Sequence, residues 1–311
     1  MKFFIYPVES FVEITGKEWS ITPMTDFFDK SKPVMNNAFH VIGDYDSIPT
    51  INSWLECDFL IVPLLIRHTH RFVDQLELQQ VIKEILPYYE KNKGKHIFFI
   101  GSDTDVEINF LVSESIVFSF SVKKSSNMFC MAYQPIVSPP ETVTPIDLAL
   151  YDYSFMGYAC NDIRKKMVKR MTCTEMKFVI INIRFWLERY FERDTSSLES
   201  YYSGLMNMSK FILCPQGFGV SSIRLFEAMS FGRIPIVISD EAKLPLEDEI
   251  DYNFLIRIEE DNIESIEKRI KDYKQEYNLS EMSVKARSVW ENWFAPKKIG
   301  KFLIKTLNKI C

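Results

Sequence analysis

The chain has 311 residues, 47% of them hydrophobic and 25% charged, with 25 Phe and 14 Tyr; at roughly 150 residues per domain this predicts two packed cores and excludes a disordered chain. A formal net charge of −5 excludes the concentrated basic face with which nucleic-acid-binding proteins neutralise phosphates, so no nucleic-acid partner is expected. No run of about 18 apolar residues occurs, which predicts no membrane span, and the short start Met1 to Val8, broken by Pro7, lacks the regions of a signal peptide, so the expected location is the cytoplasm.

In chain order, apolar strand-like runs alternate with amphipathic stretches. Strands are expected at Lys2 to Pro7, Ala38 to Val41 and Phe59 to Leu65, a helix over Val73 to Asn92, and strands at His96 to Ile100, Ile116 to Val122 and Met128 to Ala132. The segment Gln134 to Pro145 contains four prolines and little periodicity, which marks an interdomain linker. The pattern then restarts: strand Tyr153 to Tyr158, helix Asp162 to Met171, strand Met176 to Ile183, a helix around Tyr201 to Met208, strand Phe211 to Cys214, helix Ser221 to Phe231, strands Ile234 to Ile238 and Phe254 to Ile256, and helix Ile263 to Tyr277. Val284 to Lys309 is amphipathic and reads as a helix pair bracing both domains. Two successive αβ patterns predict two Rossmann-like domains, residues 1–140 and 141–311, facing each other across a cleft. Six cysteines are scattered without a CxxC pair or a histidine at ligand spacing, so reduced thiols are expected.

The chemistry is concentrated in Ser209 to Asp240, which reads strand, glycine loop, helix, strand. Gly217 and Gly219 let the backbone approach a ligand, and Ser221 or Ser222 is a natural N-cap. The N–H groups and positive dipole end of the following helix form a phosphate-sized anion site. Arg224 and Glu227 share one helix face, the first suited to a pyrophosphate and the second to ribose hydroxyls. The same spacing is equally met by an ordinary αβ unit whose Arg224 and Glu227 form a surface ion pair.

This segment resembles the signature of exostosin-type glycosyltransferases, family 47: a Lys-Phe strand ending in Cys-Pro-x-Gly, then Ser-x-Arg-Leu-x-Glu-Ala, then Gly-x-Ile-Pro-Val-Ile and an Asp. Leu244-Pro245, Ile250-Asp251, Tyr202 to Ser209, Gly157 with Arg164, and Cys57 to Pro63 extend the likeness. The resemblance implies a GT-B architecture, a nucleotide-sugar donor, most simply a UDP-sugar, on the C-terminal domain, and inversion at the anomeric carbon. It implies donor contacts from Arg164, Pro215, Gln216, Gly217, Gly219, Ser221, Ser222, Arg224 and Glu227. Gln216 stands where the family often carries a basic residue and Phe218 where a polar one is common, which leaves the donor's identity open. Rival readings are a non-catalytic nucleotide- or carbohydrate-binding protein of the same fold and a retaining transferase or epimerase.

An inverting displacement needs one general base. Asp103 and Asp105 follow the His96 to Ile100 strand, and His68 and His70 follow the strand ending near Leu65. Loops at those carboxyl ends border the crevice in which doubly wound sheets bind ligands, so these four are the rival candidates. Asp103-Thr-Asp105 also spells a DxD metal motif, but short DxD strings recur by chance; no metal and no other cofactor is expected. The expected partners are the UDP-sugar and a glycan acceptor, with a partner chain or homo-oligomer left open.

Overall fold

The computed structural model describes the chain apart from residues 8–13, 16–18, 24–47, 69–74, 102–107, 136, 138, 172–175, 184–195 and 311. It divides into two compact units: residues 1–134, 243–246 and 296–311, and residues 135–242 and 247–295.

In the first unit β-branched and aromatic runs form β1 (Phe3–Ile5), β2 (Ile14–Thr15), β3 (Trp19–Pro23), β4 (Phe59–His68), β5 (His96–Ile100), β6 (Ile116–Ser119) and β7 (Phe129–Cys130). β4 to β7 lie side by side and parallel. Beyond β4, its first half pairs with β1 in parallel and its second half with β3 antiparallel, β2 lying outside β3. Leu60, Val62, Leu64 and Ile66 alternate along β4 into one core with Phe98 and Ile100 of β5 and with Leu78 and Ile82 of helix α1 (Gln75–Ile85).

The helix expected over 73–92 ends at Ile85, and a 3-10 turn, Glu90–Asn92, follows. Pro87 explains the break, since it has no N–H to donate and its ring disfavours helical geometry at Leu86. The β2–β3 pair and the short helix α2 (Asn109–Glu114) have too little periodicity to be read in advance. The strand expected at Ala38 to Val41 lies outside the described residues.

The second unit contains β8 (Tyr151–Gly157), α3 (Asp162–Arg170), β9 (Phe178–Asn182), α4 (Ser196–Asn207), β10 (Ser209–Pro215), α5 (Ile223–Ser230), β11 (Ile234–Ile238), β12 (Ile256–Ile258), α6 (Ile266–Glu276) and α7 (Leu279–Val289). Its five strands are all parallel, in the order β9-β8-β10-β11-β12. From β8 the chain goes first to one side and then to the other, so the strand order reverses between β8 and β10. The crevice outside the carboxyl ends at such a reversal is where open parallel sheets bind ligands.

The helix pair expected at Val284 to Lys309 starts earlier, because Asn278 caps α7 by accepting from the N–H groups of Ser280 and Glu281. Past a π-helical turn, Trp290–Phe294, and a 3-10 turn, Pro296–Lys298, the last helix α8 (Ile299–Leu307) belongs to the first unit, where Phe302 meets Phe118 edge to face. Among the described residues no helix is long and apolar enough to cross a membrane, and Cys57, Cys130, Cys160 and Cys214 are free thiols.

His96 is fully buried in the first unit, with Nδ1 3.1 Å from the Asn92 carbonyl and Nε2 2.8 Å from the Tyr6 hydroxyl. A carbonyl only accepts, so Nδ1–H donates to Asn92; burial disfavours the charged ring, and in the neutral ring Nε2 accepts from the Tyr6 hydroxyl. Burial lowers the His96 pKa from 6.5 to about 4. Above pH 6.5 the ring is neutral folded and unfolded alike; as pH falls from 6.5 to about 4 only the unfolded chain takes up the proton, so stability drops through that window and levels off below it. In urea unfolding, the stability of the native chain relative to His96→Gln should fall by roughly 2 kcal/mol between pH 7 and pH 5; a gap independent of pH contradicts this assignment.

Candidate functional site

Three segments meet at the strand-order reversal of the second unit: the end of β8, the start of α3 and the loop from Pro215 to Ser222 between β10 and α5. The loop is largely buried, so its carbonyls need donors. Asn161, the N-cap of α3, accepts from the Arg164 N–H at 2.9 Å and donates through Nδ2 to the carbonyls of Gln216 (3.2 Å) and Gly217 (2.7 Å). Arg164 donates through Nε to Gln216 O at 2.8 Å, through Nη1 to Tyr158 O at 3.0 Å and through Nη2 to Pro215 O at 3.2 Å. Sequence reasoning assigns Arg164 to the donor phosphates; the structure commits its guanidinium to loop carbonyls, so it is a positioning residue. The Gly217 N–H closes the loop on Ser221 O at 2.9 Å, and the Gln216 N–H bonds Ile238 O at 3.1 Å.

The front of α5 is left open. Among the described residues the N–H groups of Gly219, Ser222 and Ile223 find no protein acceptor. Ser222 occupies the N-cap, yet among the described residues its buried Oγ caps no N–H and has no hydrogen-bond partner, contrary to the capping role read from sequence. Arg224, 4% exposed, donates from Nε to Met156 O at 2.9 Å, with its guanidinium carbon 4.6 Å from the centre of the Phe155 ring. Its Nη1 and Nη2 have no hydrogen-bond or ion-pair partner among the described residues. Gly157 leaves room for that guanidinium, because a Cβ there would lie 1.9 Å from Nη2. Unpaired N–H donors at a helix N-terminus, a buried hydroxyl and a cation with free donors form a cradle for a phosphate-like anion.

Glu227 differs from its expected position on an open helix face. It is 1% exposed, and its Oε2 accepts from the Tyr202 hydroxyl of α4 at 2.6 Å. Burial, with the Glu227 charge beside it, pushes the Tyr202 phenol well above its usual range. Burial also pushes the Cys214 thiol up, against the pull of Arg224, which keeps it neutral and non-nucleophilic.

Pro215 ends β10, Gln216 is half-buried with Oε1 accepting from Ser239 Oγ at 3.3 Å, and Gly217, Gly219 and Ser221 are buried. Of the base candidates, His70, Asp103 and Asp105 lie outside the described residues; His68 is the last residue of β4, and only its backbone is described. Among the described residues no group of three or more His, Cys, Asp or Glu could hold a metal ion. Sequence reasoning missed Asn161 and Tyr202, whose partners lie 56 and 25 residues away. The one local signal was an Asn three residues before Arg164 at a helix start.

The Exostosin GT47 domain matches residues 51–273. The chain is similar to "Probable glucuronosyltransferase GUT1" of Oryza sativa subsp. japonica, 35% identical over 78 residues, or 25% of this chain and 18% of that relative. It is also similar to "Probable glucuronosyltransferase Os01g0926700" of the same organism, 42% identical over 62 residues, or 20% of this chain and 15% of that relative. The matched stretch thus covers less than a fifth of either relative's own length. Among solved structures, the apo lipopolysaccharide outer core galactosyltransferase WaaB aligns over 100% of both chains at 12% identity with a TM-score of 0.47. Anabaena Alr3699/HepE in complex with UDP-glucose aligns over 81% of this chain and 79% of its own at 10% identity with a TM-score of 0.43.

Two substitutions test the cradle. Gly157→Ala should displace the Arg224 guanidinium while the fold persists, lowering affinity for inorganic pyrophosphate by roughly tenfold or more in calorimetry; unchanged affinity would show that Arg224 does not reach the anion. Glu227→Ala should cost about 2–4 kcal/mol in urea unfolding, since it leaves the Tyr202 hydroxyl buried without its acceptor and opens a cavity. Glu227→Gln, which keeps an acceptor oxygen, should recover most of that loss. An Ala variant as stable as the parent would mean the Tyr202 bond does not hold α4 to α5.

Proposed function

Since the chain belongs to the exostosin GT47 family, we propose that it is an inverting glycosyltransferase that moves a sugar from a UDP-sugar to a hydroxyl of a saccharide acceptor. The observation that carries the reading is the cradle before α5: free N–H groups, the unpartnered Ser222 Oγ and the unpaired Nη groups of Arg224. Desolvated donors without a partner are costly in the empty state and are offset when a diphosphate occupies them.

In the displacement, the acceptor oxygen forms a bond to the anomeric carbon from the face opposite the diphosphate. The bond from that carbon to the phosphate oxygen breaks, and the acceptor proton passes to a base, for which His68, His70, Asp103 and Asp105 are the candidates. Charge growing on the leaving diphosphate falls on the helix N-terminus and Arg224, so stabilisation of the leaving group needs no metal. Arg164 and Asn161 act one step back, by holding the loop. The names of the rice relatives make UDP-glucuronic acid the first donor to try.

The reading is tested by nucleotide binding in EDTA followed by kinetics. UDP should bind without added metal; binding that needs Mn²⁺ would instead favour a metal at Asp103 and Asp105. With the best donor, Arg224→Lys should lower kcat by roughly 10- to 100-fold, because lysine keeps the charge but loses the planar fork that grips two phosphate oxygens. Unchanged kcat and kcat/KM would remove Arg224 from the mechanism.

A further inference from the structure

Between Phe211 and Ser239 every residue is buried or half-buried except one, Phe218, whose side chain is 70% exposed. Leaving a phenyl ring in water forgoes the burial that normally places phenylalanine in a core. Single exposed apolar residues are common on protein surfaces, and Leu55, Leu76 and Val284, which lie within helices, are of that kind. Phe218 is different in three respects. Its loop is anchored, with the carbonyls on its N-terminal side held by Asn161 and Arg164 and the Gly217 N–H bonded to Ser221 O. Its neighbours Gly217 and Gly219 have no side chains to cover the ring, and it has no aromatic partner among the described residues. It also lies four residues before the N-cap Ser222, beside the anion cradle.

A rigidly mounted, uncovered aromatic face beside a diphosphate site suits a flat, C–H-lined ligand surface, which a saccharide ring presents. We infer that Phe218 is a stacking platform for a saccharide ring, either the sugar carried by the donor or the terminal sugar of the acceptor. This rests on the glycosyltransferase reading above.

The test uses the full chain and its Phe218→Ala, Phe218→Leu and Phe218→Trp variants, all expected to fold because the side chain is exposed. Calorimetry compares UDP with UDP-glucuronic acid, UDP-glucose, UDP-galactose and UDP-N-acetylglucosamine; an oligosaccharide array probed with UDP present reports on the acceptor. The expected result is UDP affinity within about twofold of the parent for every variant, with Ala and Leu losing roughly tenfold toward a UDP-sugar or toward the array ligands and Trp retaining it. Loss toward UDP-sugars assigns the platform to the donor sugar, and loss on the array assigns it to the acceptor. A parallel loss for UDP itself, a Leu variant equal to the parent, or no change in either arm overturns the inference. Failure of the unaltered chain to bind UDP at all would sink the donor reading and the platform with it, whereas tight UDP binding with saccharide affinities indifferent to residue 218 sinks the platform alone.

Discussion

The candidate site depends on the clamp that Asn161 and Arg164 place on the loop after β10. That loop is largely buried at the end of a parallel strand, beyond the reach of the sheet ladder, so its carbonyls need other donors. One amide and one guanidinium satisfy three of them, on Pro215, Gln216 and Gly217, and tie them to the Tyr158 carbonyl after β8. A residue suited to gripping phosphate is thereby used to shape the loop that would grip it. Lysine at 164 could not repeat this, since a point charge cannot serve three carbonyls spread around a planar fork.

With the carbonyls of Pro215, Gln216 and Gly217 engaged, the segment leaves the donors nearest α5 unspent among the described residues. The N–H groups before α5, Ser222 Oγ and the Arg224 Nη groups are the kind of unpaired polar atoms that folding normally eliminates. Part of the cost of holding two guanidinium groups near one another is offset by Phe155, whose ring lies 4.6 Å from Arg224 and 5.9 Å from Arg164. The resulting pocket is organised before any ligand arrives, which suits the stabilisation of a leaving group.

The first unit handles its buried polar group in the opposite way. His96 has both nitrogens satisfied, by Tyr6 and Asn92, and is enclosed by Tyr89 and Phe98. Nothing is left over to bind a ligand, and the ring stays neutral. The two buried arrangements show how satisfaction, rather than residue type, separates a structural polar group from one available for chemistry.

Much of the second unit was legible in the sequence, because strands such as Phe211 to Cys214 and Ile234 to Ile238 and the glycine loop between them are local patterns set by side-chain period and backbone freedom. Helix limits failed where a single residue overrides the period, as Pro87 does after Ile85 and Asn278 does before Leu279. The roles within the site were not legible. The order β9-β8-β10 puts Gly157 against Arg224 and Asn161 against Gly217, and no spacing in the chain records that adjacency. Sequence alone could place Arg224 and Glu227 on one helix face. Only tertiary packing decided that Arg224 keeps free donors while Glu227 is sealed under Tyr202, because burial and hydrogen-bond satisfaction depend on what the rest of the chain lays over that face.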